Sequence, residues 1–290
     1  MNTVESPASV RVQPRVRDML IVLVLLLPLY GFAWYSQGVR VLMLLAVALA
    51  AGALIEGAFA VFRKRRISMS LLVTACLYVL MLPPTIPLWL AGLGMLFGIF
   101  FGKMLFGGSG FTIFNPALVG RCFIMLAYPL IVVDTTTAAA GGSEETFNEM
   151  MRMLISSVPG PAGTWVVPAI LGGGLVLAIA RAADWKIILS VLAGGAALTG
   201  ILMLTPFAGR EITQLLLMPG FAFGACYLAT DPVTAPRAWQ GKLLYGFVIG
   251  VLSVGITLYA TYGEGMMFAV LLGNVFAPTL DYMFDHTREA

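Results

Sequence analysis

The sequence predicts an all-α integral membrane protein with about ten transmembrane helices, arranged as two inverted halves of five helices each. Hydrophobic residues make up 60% of the 290 positions and charged residues only 11%, whereas a soluble domain has about 45–50% and about 25%. Apolar runs of transmembrane length recur along the whole chain. Basic residues cluster at the ends of these runs, as they do beside membrane spans.

Ten apolar runs define the predicted helices. In chain order they are 19–36, 40–62, 67–83, 87–105, 115–133, 164–182, 186–205, 213–230, 242–261 and 265–284. They divide the chain into a cytoplasmic N-terminal arm (1–18), a first five-helix half (19–133), an outer, periplasmic loop (134–163), a second five-helix half (164–284) and a cytoplasmic tail (285–290). Because five is odd, a second half that repeats the first is inverted relative to it, and such folds bind their ligands at the interface of the halves.

The distribution of basic residues predicts the orientation. With the N-terminus inside, thirteen of the 17 Lys and Arg fall on the cytoplasmic side, Lys103 among them. Three fall on the opposite side, and Arg121 lies within a span. Short cytoplasmic loops carry the excess of Lys and Arg, so both termini are expected in the cytoplasm. The polar arm shows no cleavage motif, and no signal peptide is expected.

Several functional classes are excluded by composition. A formal charge of +3 is too small to indicate nucleic-acid binding. Cys76, Cys122 and Cys226 lie inside apolar runs without a CxxC pairing, so they are expected to be buried small hydrophobes and not metal or cluster ligands. His286 is the only histidine, which excludes a bis-histidine haem. No metal ligands and no catalytic residues of a self-sufficient enzyme are predicted.

The stretch 106–121, F-G-G-S-G-F-T-I-F-N-P-A-L-V-G-R, separates two long apolar runs. Asn115 is a favourable N-cap and Pro116 suits the first helical position, so a helix is expected to begin there. The glycines Gly107 and Gly108 suit non-helical backbone, which survives at membrane depth only where it is buried in protein or lines a cavity. The alternative is a short connector between two spans.

Three carboxylates near span ends are candidates for an ion path. Glu56 lies in an otherwise apolar run, Asp231 lies where a span leaves the bilayer, and Glu264 precedes the last span. Carboxylates at such positions are costly and often carry ions. The alternative for Glu56 is a carboxylate that is hydrogen-bonded to a neighbouring helix. The alternative for the 229–242 turn is a capped helix end with Trp239 as an interface anchor.

The last span repeats features of the fifth. A glycine-bearing polar entry around Glu264 is followed by Asn274 and Pro278, which echoes residues 107–117. This echo predicts a central cavity bounded by residues near 107–117 and 264–278. In the outer loop, residues 144–157 are expected to form a short surface helix capped by Ser143.

Three blocks carry a resemblance to a known family. They are F-N-P-A-L-V-G-R at 114–121, G-F-A-F-G-A-C-Y-L-A-T-D-P-V-T-A at 220–235 and Y-G-E-G-M-M-F-A-V-L-L-G-N-V-F-A-P-T-L-D-Y at 262–282. The chain resembles, over nearly its whole length, the family of the D subunit of the Rnf ferredoxin:NAD oxidoreductase and the B subunit of the sodium-pumping NADH:quinone oxidoreductase. The short N-terminal arm favours the Rnf branch, and the short outer loop and E-G-M-M favour the quinone-reductase branch.

The resemblance implies a subunit of a redox-driven Na+ or H+ pump in the bacterial inner membrane, associated with other membrane and peripheral subunits. It also implies flavin: FMN joined to an outer threonine, and in the quinone-reductase branch a riboflavin deeper in the membrane. Asn115 matches the family's asparagine near the riboflavin, which points to a site with Thr112 and the Gly107–Gly108 backbone. Three aromatic side chains are candidates to stack on the flavin ring: Phe111, Phe114 and Phe123.

The sequence departs from the family at the covalent site. The family pattern is Asp-x-x-Ser/Thr-Gly-Ala-Thr, and aligning Asp134 with its aspartate places Thr137 at the Ser/Thr and Ala140 at the acceptor threonine. Alanine has no hydroxyl to accept a phosphoester. Attachment to Thr137, Thr135 or Thr136 requires a shifted register. The alternative functions are therefore a flavin-free transporter or channel, and a scaffold subunit with no cofactor.

Overall fold

The computed structural model describes residues 15–64, 68–83, 86–129, 167–204, 216, 219–259 and 265–286. In these parts of the chain the regular structure is helical throughout, and each helix falls on one of the predicted apolar runs. The helices are α1 (Val16–Gln37), α2 (Arg40–Arg63), α3 (Ser70–Leu80), α4 (Leu88–Ile99), α5 (Pro116–Ala127), α6 (Val167–Ile179), α7 (Trp185–Met203), α8 (Pro219–Phe223), α9 (Trp239–Tyr259) and α10 (Gly265–His286).

Helix length divides these elements into two classes. Five are long and apolar enough to cross a membrane, namely α1, α2, α7, α9 and α10. The shorter α3 and α5 have 11 and 12 residues, which at about 1.5 Å per residue is less than the hydrocarbon thickness of about 30 Å. The chain is thus an all-α, multi-pass membrane protein in which α3 and α5 are too short to cross the bilayer by themselves. Their ends require protein or a cavity around them.

Glycines allow close helix crossings in both parts of the chain. A Cβ on Gly98 of α4 would lie 2.4 Å from the Pro116 carbonyl oxygen of α5, and one on Gly120 of α5 would lie 2.5 Å from the Gly94 oxygen. Farther along, a Cβ on Gly250 of α9 would lie 2.1 Å from the Val191 oxygen of α7. Small residues that bring backbones into contact are the usual basis of helix association in lipid.

Two helices end in a π-helical turn, which the sequence pattern did not predict. Phe100–Met104 continues α4, and Gly224–Leu228 continues α8. The widened spacing is visible in the bonds from Leu105 N to the Phe100 oxygen at 3.1 Å and from Ala229 N to the Gly224 oxygen at 2.8 Å. π-helix occurs mostly as single turns, frequently at functional sites, and here each turn contributes a residue to the same cavity, Lys103 and Tyr227.

Candidate functional site

A cavity of about 110 Å³ lies between helices of the first half of the chain (α1–α5) and helices of the second half (α6–α10). Its wall combines the start of α1, the first turns of α3, the loop before α5, the end of α6 and the segment after α8. The polar side chains that matter for its chemistry are Asp18, Ser70, Lys103, Thr112, Asn115 and Asp231. Because a single water needs only about 10–15 Å³, the cavity admits several waters or a small polar group.

Asn115 joins the two sides of the cavity. Its Oδ1 accepts a hydrogen bond from Ala117 N at 3.0 Å, with Pro116 at the first helical position, so the predicted start of α5 is confirmed. Its Nδ2 donates to Asp231 Oδ2 at 3.5 Å. One buried amide therefore fixes a helix N-terminus and faces a carboxylate from the other half of the sequence.

Asp231 is held in place by its own turn. Its Oδ1 accepts from Val233 N at 3.1 Å, and its carbonyl oxygen accepts from Ala235 N at 3.0 Å. These local bonds are those of an aspartate that begins a turn, and Pro232 stiffens the same turn through its fixed φ. The other carboxylate oxygen, Oδ2, is the one that faces Asn115 across the cavity.

Glu56 forms an ion pair that the sequence pattern did not predict. Its Oε1 pairs with the Lys103 ammonium, and the two residues are only 4% and 2% exposed. Its Oε2 accepts from Ser68 N at 3.1 Å. Lys103 also donates to Ser70 Oγ at 2.7 Å, and Ser70 Oγ lies 2.9 Å from Ser109 Oγ.

Lys103 is buried and does not lie in an exposed loop. The sequence counts it among the charges of the cytoplasmic side, and the structure places it in the π-turn that ends α4, paired with Glu56. The orientation stays a prediction. The signal that could have found the pair is the presence of one acidic and one basic residue, Glu56 and Lys103, each alone in an apolar run. Isolated opposite charges within a membrane tend to pair.

Gly107 and Gly108 shape the loop rather than the cavity wall. Their φ angles of 117° and 98° lie in the region that favours glycine. Their amides donate to the Met104 and Lys103 carbonyl oxygens at 3.3 and 3.0 Å, which closes the π-turn. The backbone amides expected to contact a ligand are therefore already used, and the loop residues that face the cavity are Ser109, Gly110 and Thr112.

The expected aromatic stack is also absent from the described wall of this cavity. Phe123 stacks on Phe97, with ring centroids 4.1 Å apart and planes 11° apart. Phe114 lies beside Phe106, at 6.4 Å between centroids, and neither it nor Phe111 is among the lining residues. The apolar wall consists mainly of aliphatic side chains such as Val22, Val73, Leu77 and Leu177, and the one aromatic ring among its described residues is that of Tyr227.

Some of the remaining predicted residues lie outside the described part of the chain. These are Thr137, Ala140, Glu264 and the outer loop that contains residues 144–157. Of the two predicted boundaries of the cavity, the loop before α5 is in place. The opposite wall of this cavity is formed by Tyr227 and residues 230–233, and none of the described residues of 264–278 lines it. Asn274 is not among the lining residues; it is fully buried, and its Oδ1 accepts from Tyr245 OH at 2.8 Å.

Comparison with known proteins identifies the family of this sequence. The model of the NQR2, RnfD, RnfE family matches residues 3–289. The chain belongs to this family. The match covers both halves of the sequence and every residue of the cavity wall, so the resemblance first seen in three blocks extends over nearly the whole protein.

Three members of the family are 36–39% identical to this chain over the matched residues. The B subunit of the Na(+)-translocating NADH-quinone reductase of Chromohalobacter salexigens is 39% identical over 262 residues, which cover 82% of this chain and 64% of that protein. The corresponding values are 37%, 82% and 65% for the same protein of Ectopseudomonas mendocina and 36%, 82% and 64% for that of Yersinia pestis. The matched part thus spans just under two thirds of the length of these relatives.

Proposed function

We propose that this chain is the membrane subunit of an ion-translocating electron-transport complex, of the quinone-reductase or Rnf type, that binds flavin and forms part of the electron and ion path. The observation that carries the proposal is the cavity in which Asn115, Lys103 and Asp231 meet. It brings a carboxylate, an ammonium and an amide together inside an apolar bundle, where such groups are costly and mark sites of transport. The family and the names of the relatives support the same function.

The polar side chains of the cavity suit the polar edge of a non-covalently bound flavin, but a cavity of about 110 Å³ is smaller than the pockets of about 300–1,000 Å³ that hold cofactors, so flavin binding would require its walls to move apart. The hydroxyl of Thr112, the amide of Asn115 and the ammonium of Lys103 are suited to the carbonyl and N–H groups along the edge of the isoalloxazine. The apolar side chains of the wall would contact the ring. When bound, the flavin supplies the electron-transfer chemistry, and the protein supplies its position and electrostatics. Gly107 and Gly108 contribute by holding Ser109 and Thr112 at the cavity.

The ion path of the proposal runs through the carboxylates. Asp231 lines the cavity, Glu56 lies behind Lys103, and Glu264 remains a sequence-based candidate at the entry of α10. Oxygen-rich sites of this kind suit Na+, and a carboxylate alone suffices for H+. Water in the cavity would complete the coordination of a cation.

The proposed topology has ten spans, with both termini cytoplasmic, in a bacterial inner membrane. The two series of five helices support it, because α2 packs on α4 as α7 packs on α9. The cavity then lies towards the cytoplasm, since Asp18 at the start of α1 and Ser70 at the start of α3 both line it. Other membrane and peripheral subunits would exchange electrons with the flavin.

The first test is flavin analysis of the purified full chain. An acid extract of the folded protein is expected to contain riboflavin or FMN near one per chain. Thr112→Val and Asn115→Leu are expected to lower the flavin content several-fold. The control is Thr199→Val, which removes a buried hydroxyl on α7 that lies outside the cavity wall.

The ion path needs a second measurement in the complete complex. Electron-transfer-driven Na+ or H+ uptake into proteoliposomes is expected to be lost in Asp231→Asn. Asp281→Asn, on α10 and outside the cavity wall, should retain it. Uptake unchanged by Asp231→Asn would contradict the proposed path.

The flavin-free alternative has one observation in its favour, Ala140 at the family's acceptor position. A folded protein with no extractable and no covalent flavin would favour it. Ion transport that persists in such a protein would indicate a transporter or channel. A folded protein with neither bound flavin nor ion transport would be a scaffold of the complex.

A further inference from the structure

The pair between Glu56 and Lys103 has no explanation in packing alone. Both side chains are almost completely buried, at 4% and 2% exposure, within an apolar bundle. Removing two charges from water is costly, and apolar residues of similar volume often serve stability as well or better. A pair placed in this way at the edge of a cavity therefore suggests a role in ion movement.

The surroundings of the ammonium resemble a site for a small cation. Oε1 of Glu56 faces the Lys103 Nζ, and Ser70 Oγ lies 2.7 Å from the same nitrogen. The second carboxylate oxygen is fixed by Ser68 N at 3.1 Å. Carboxylate and hydroxyl oxygens are ligands of hard cations. We call these oxygens of Glu56 and Ser70 the ammonium cradle.

Access to the ammonium cradle is controlled by the position of Lys103. Lys103 and Ser70 line the cavity, whereas Glu56 does not, so Lys103 lies between the carboxylate and the cavity. Asp231 lines the same cavity on the other side. The ammonium therefore has a carboxylate behind it and a second carboxylate in the space before it.

We propose that Lys103 is a tethered cation that competes with the transported cation for Glu56. The transported cation enters the ammonium cradle when the Lys103 ammonium leaves it, and the ammonium then moves into the cavity towards Asp231. Each exchange keeps one positive charge beside Glu56, so neither state leaves that carboxylate buried without a counter-charge. The proposal rests on the proposed ion-translocating function, and it adds the residue that controls occupancy of the path.

The local structure is suited to such a movement. Lys103 extends from the π-turn that ends α4, beside the loop formed by Gly107 and Gly108. Its four-carbon stem is flexible, and its ammonium has three N–H donors with free rotation. Glu56 Oε1 and Ser70 Oγ take two of the donors.

The decisive variant is Lys103→Met, which keeps the length and apolar stem of the side chain and removes its charge. The full chain in lipid nanodiscs is expected to melt roughly 10 °C lower than wild type in choline chloride, because Glu56 has lost its counter-charge. NaCl at the same ionic strength should restore most of that loss with a saturating dependence. Methylammonium should do the same, since it replaces the missing head group.

Two controls separate a cation site from a general salt effect. Glu56→Gln/Lys103→Met has no buried charge to neutralise, so NaCl and choline chloride should give the same melting temperature. Wild type should show little Na+ dependence at low concentration, since its own ammonium occupies the cradle. If Na+ and choline act equally on Lys103→Met, or if the double variant keeps the same Na+ response, the proposal is wrong.

A second measurement uses the wild-type protein and decides the matter even if Lys103→Met does not fold. High Na+ should drive the ammonium into the cavity, so a small amine-acylating reagent should label Lys103 several-fold more in NaCl than in choline chloride. The exposed Lys64 provides the internal reference in the same digest. Equal labelling of Lys103 in the two salts would refute the exchange. Neither readout involves turnover, so failure of the proposed transport function would be seen separately.

Discussion

Asn115 Nδ2 lies 3.5 Å from Asp231 Oδ2, although the two residues are 116 positions apart in the chain. The same amide caps α5 through its Oδ1. A single side chain thus couples the start of a helix in the first half to the turn after α8 in the second. On the proposed ion path, a movement of Asp231 would displace the Asn115 side chain and with it the cap of α5.

Substitutions of Asn115 should separate these two roles. Asn115→Ala removes the cap and is expected to lower the free energy of unfolding by about 1 kcal/mol. Asn115→Ser keeps a capping oxygen and should recover most of that loss. Both variants lose the Nδ2 contact to Asp231, so both should change the Na+ concentration at half-maximal turnover of the complex. Thermal unfolding and Na+ titration measure the two effects independently.

If Asn115→Ser restored both stability and the wild-type Na+ dependence of turnover, the contact between Asn115 and Asp231 would have no role in ion transport. Asn115 would then be a helix cap that lies beside the path.

Glycine positions give a test of the helix packing. Gly120→Ala would place a Cβ 2.5 Å from the Gly94 carbonyl oxygen, so α4 and α5 must separate. Overpacking of this kind costs about 1–3 kcal/mol. Gly57→Ala in α2 is the matched control, because no neighbouring atom lies within 4 Å of its Cβ position. It should be neutral or stabilising by about 0.5–1 kcal/mol. Melting temperatures of the two variants should therefore move in opposite directions or differ by several degrees.

Asp281 of α10 provides a further test, because it binds backbone amides just before α9. Its Oδ1 accepts hydrogen bonds from Arg237 N at 2.7 Å and Ala238 N at 3.1 Å, so a residue of α10 satisfies amides just before α9. Asp281→Ala leaves these donors without the carboxylate and should cost about 1–2 kcal/mol of unfolding free energy. Asp281→Asn keeps an acceptor and should cost less. Equal melting temperatures for Asp281→Ala and wild type would show that solvent replaces the carboxylate there.

The positions of the helices and the start of α5 were predictable from local sequence. Apolar runs mark membrane segments because the bilayer imposes a length, and Asn115–Pro116 acts within one turn. The ion pair of Glu56 with Lys103 was not predicted, since it joins residues 47 apart through a tertiary contact. Likewise, no local pattern distinguishes a π-turn at 100–104 from continued α-helix. The cavity wall was half predicted, because the echo around Asn274 resembles the 107–117 stretch in residue type but not in position.

The covalent flavin site offers a gain-of-function test. Aligned on Asp134, the family pattern fails at Ala138, where glycine is expected, and at Ala140, where the acceptor threonine is expected. Wild type co-produced with a flavin-attaching enzyme should therefore show no fluorescent band in a denaturing gel. Ala138→Gly/Ala140→Thr restores the pattern and should yield a band, because the attaching enzyme reads local sequence and the new hydroxyl can accept the phosphoester. Ala138→Gly/Ala140→Val is the control, since valine matches threonine in shape and lacks the hydroxyl. A band in wild type that disappears in Thr137→Ala would instead show that Thr137 is the acceptor and that the register is shifted.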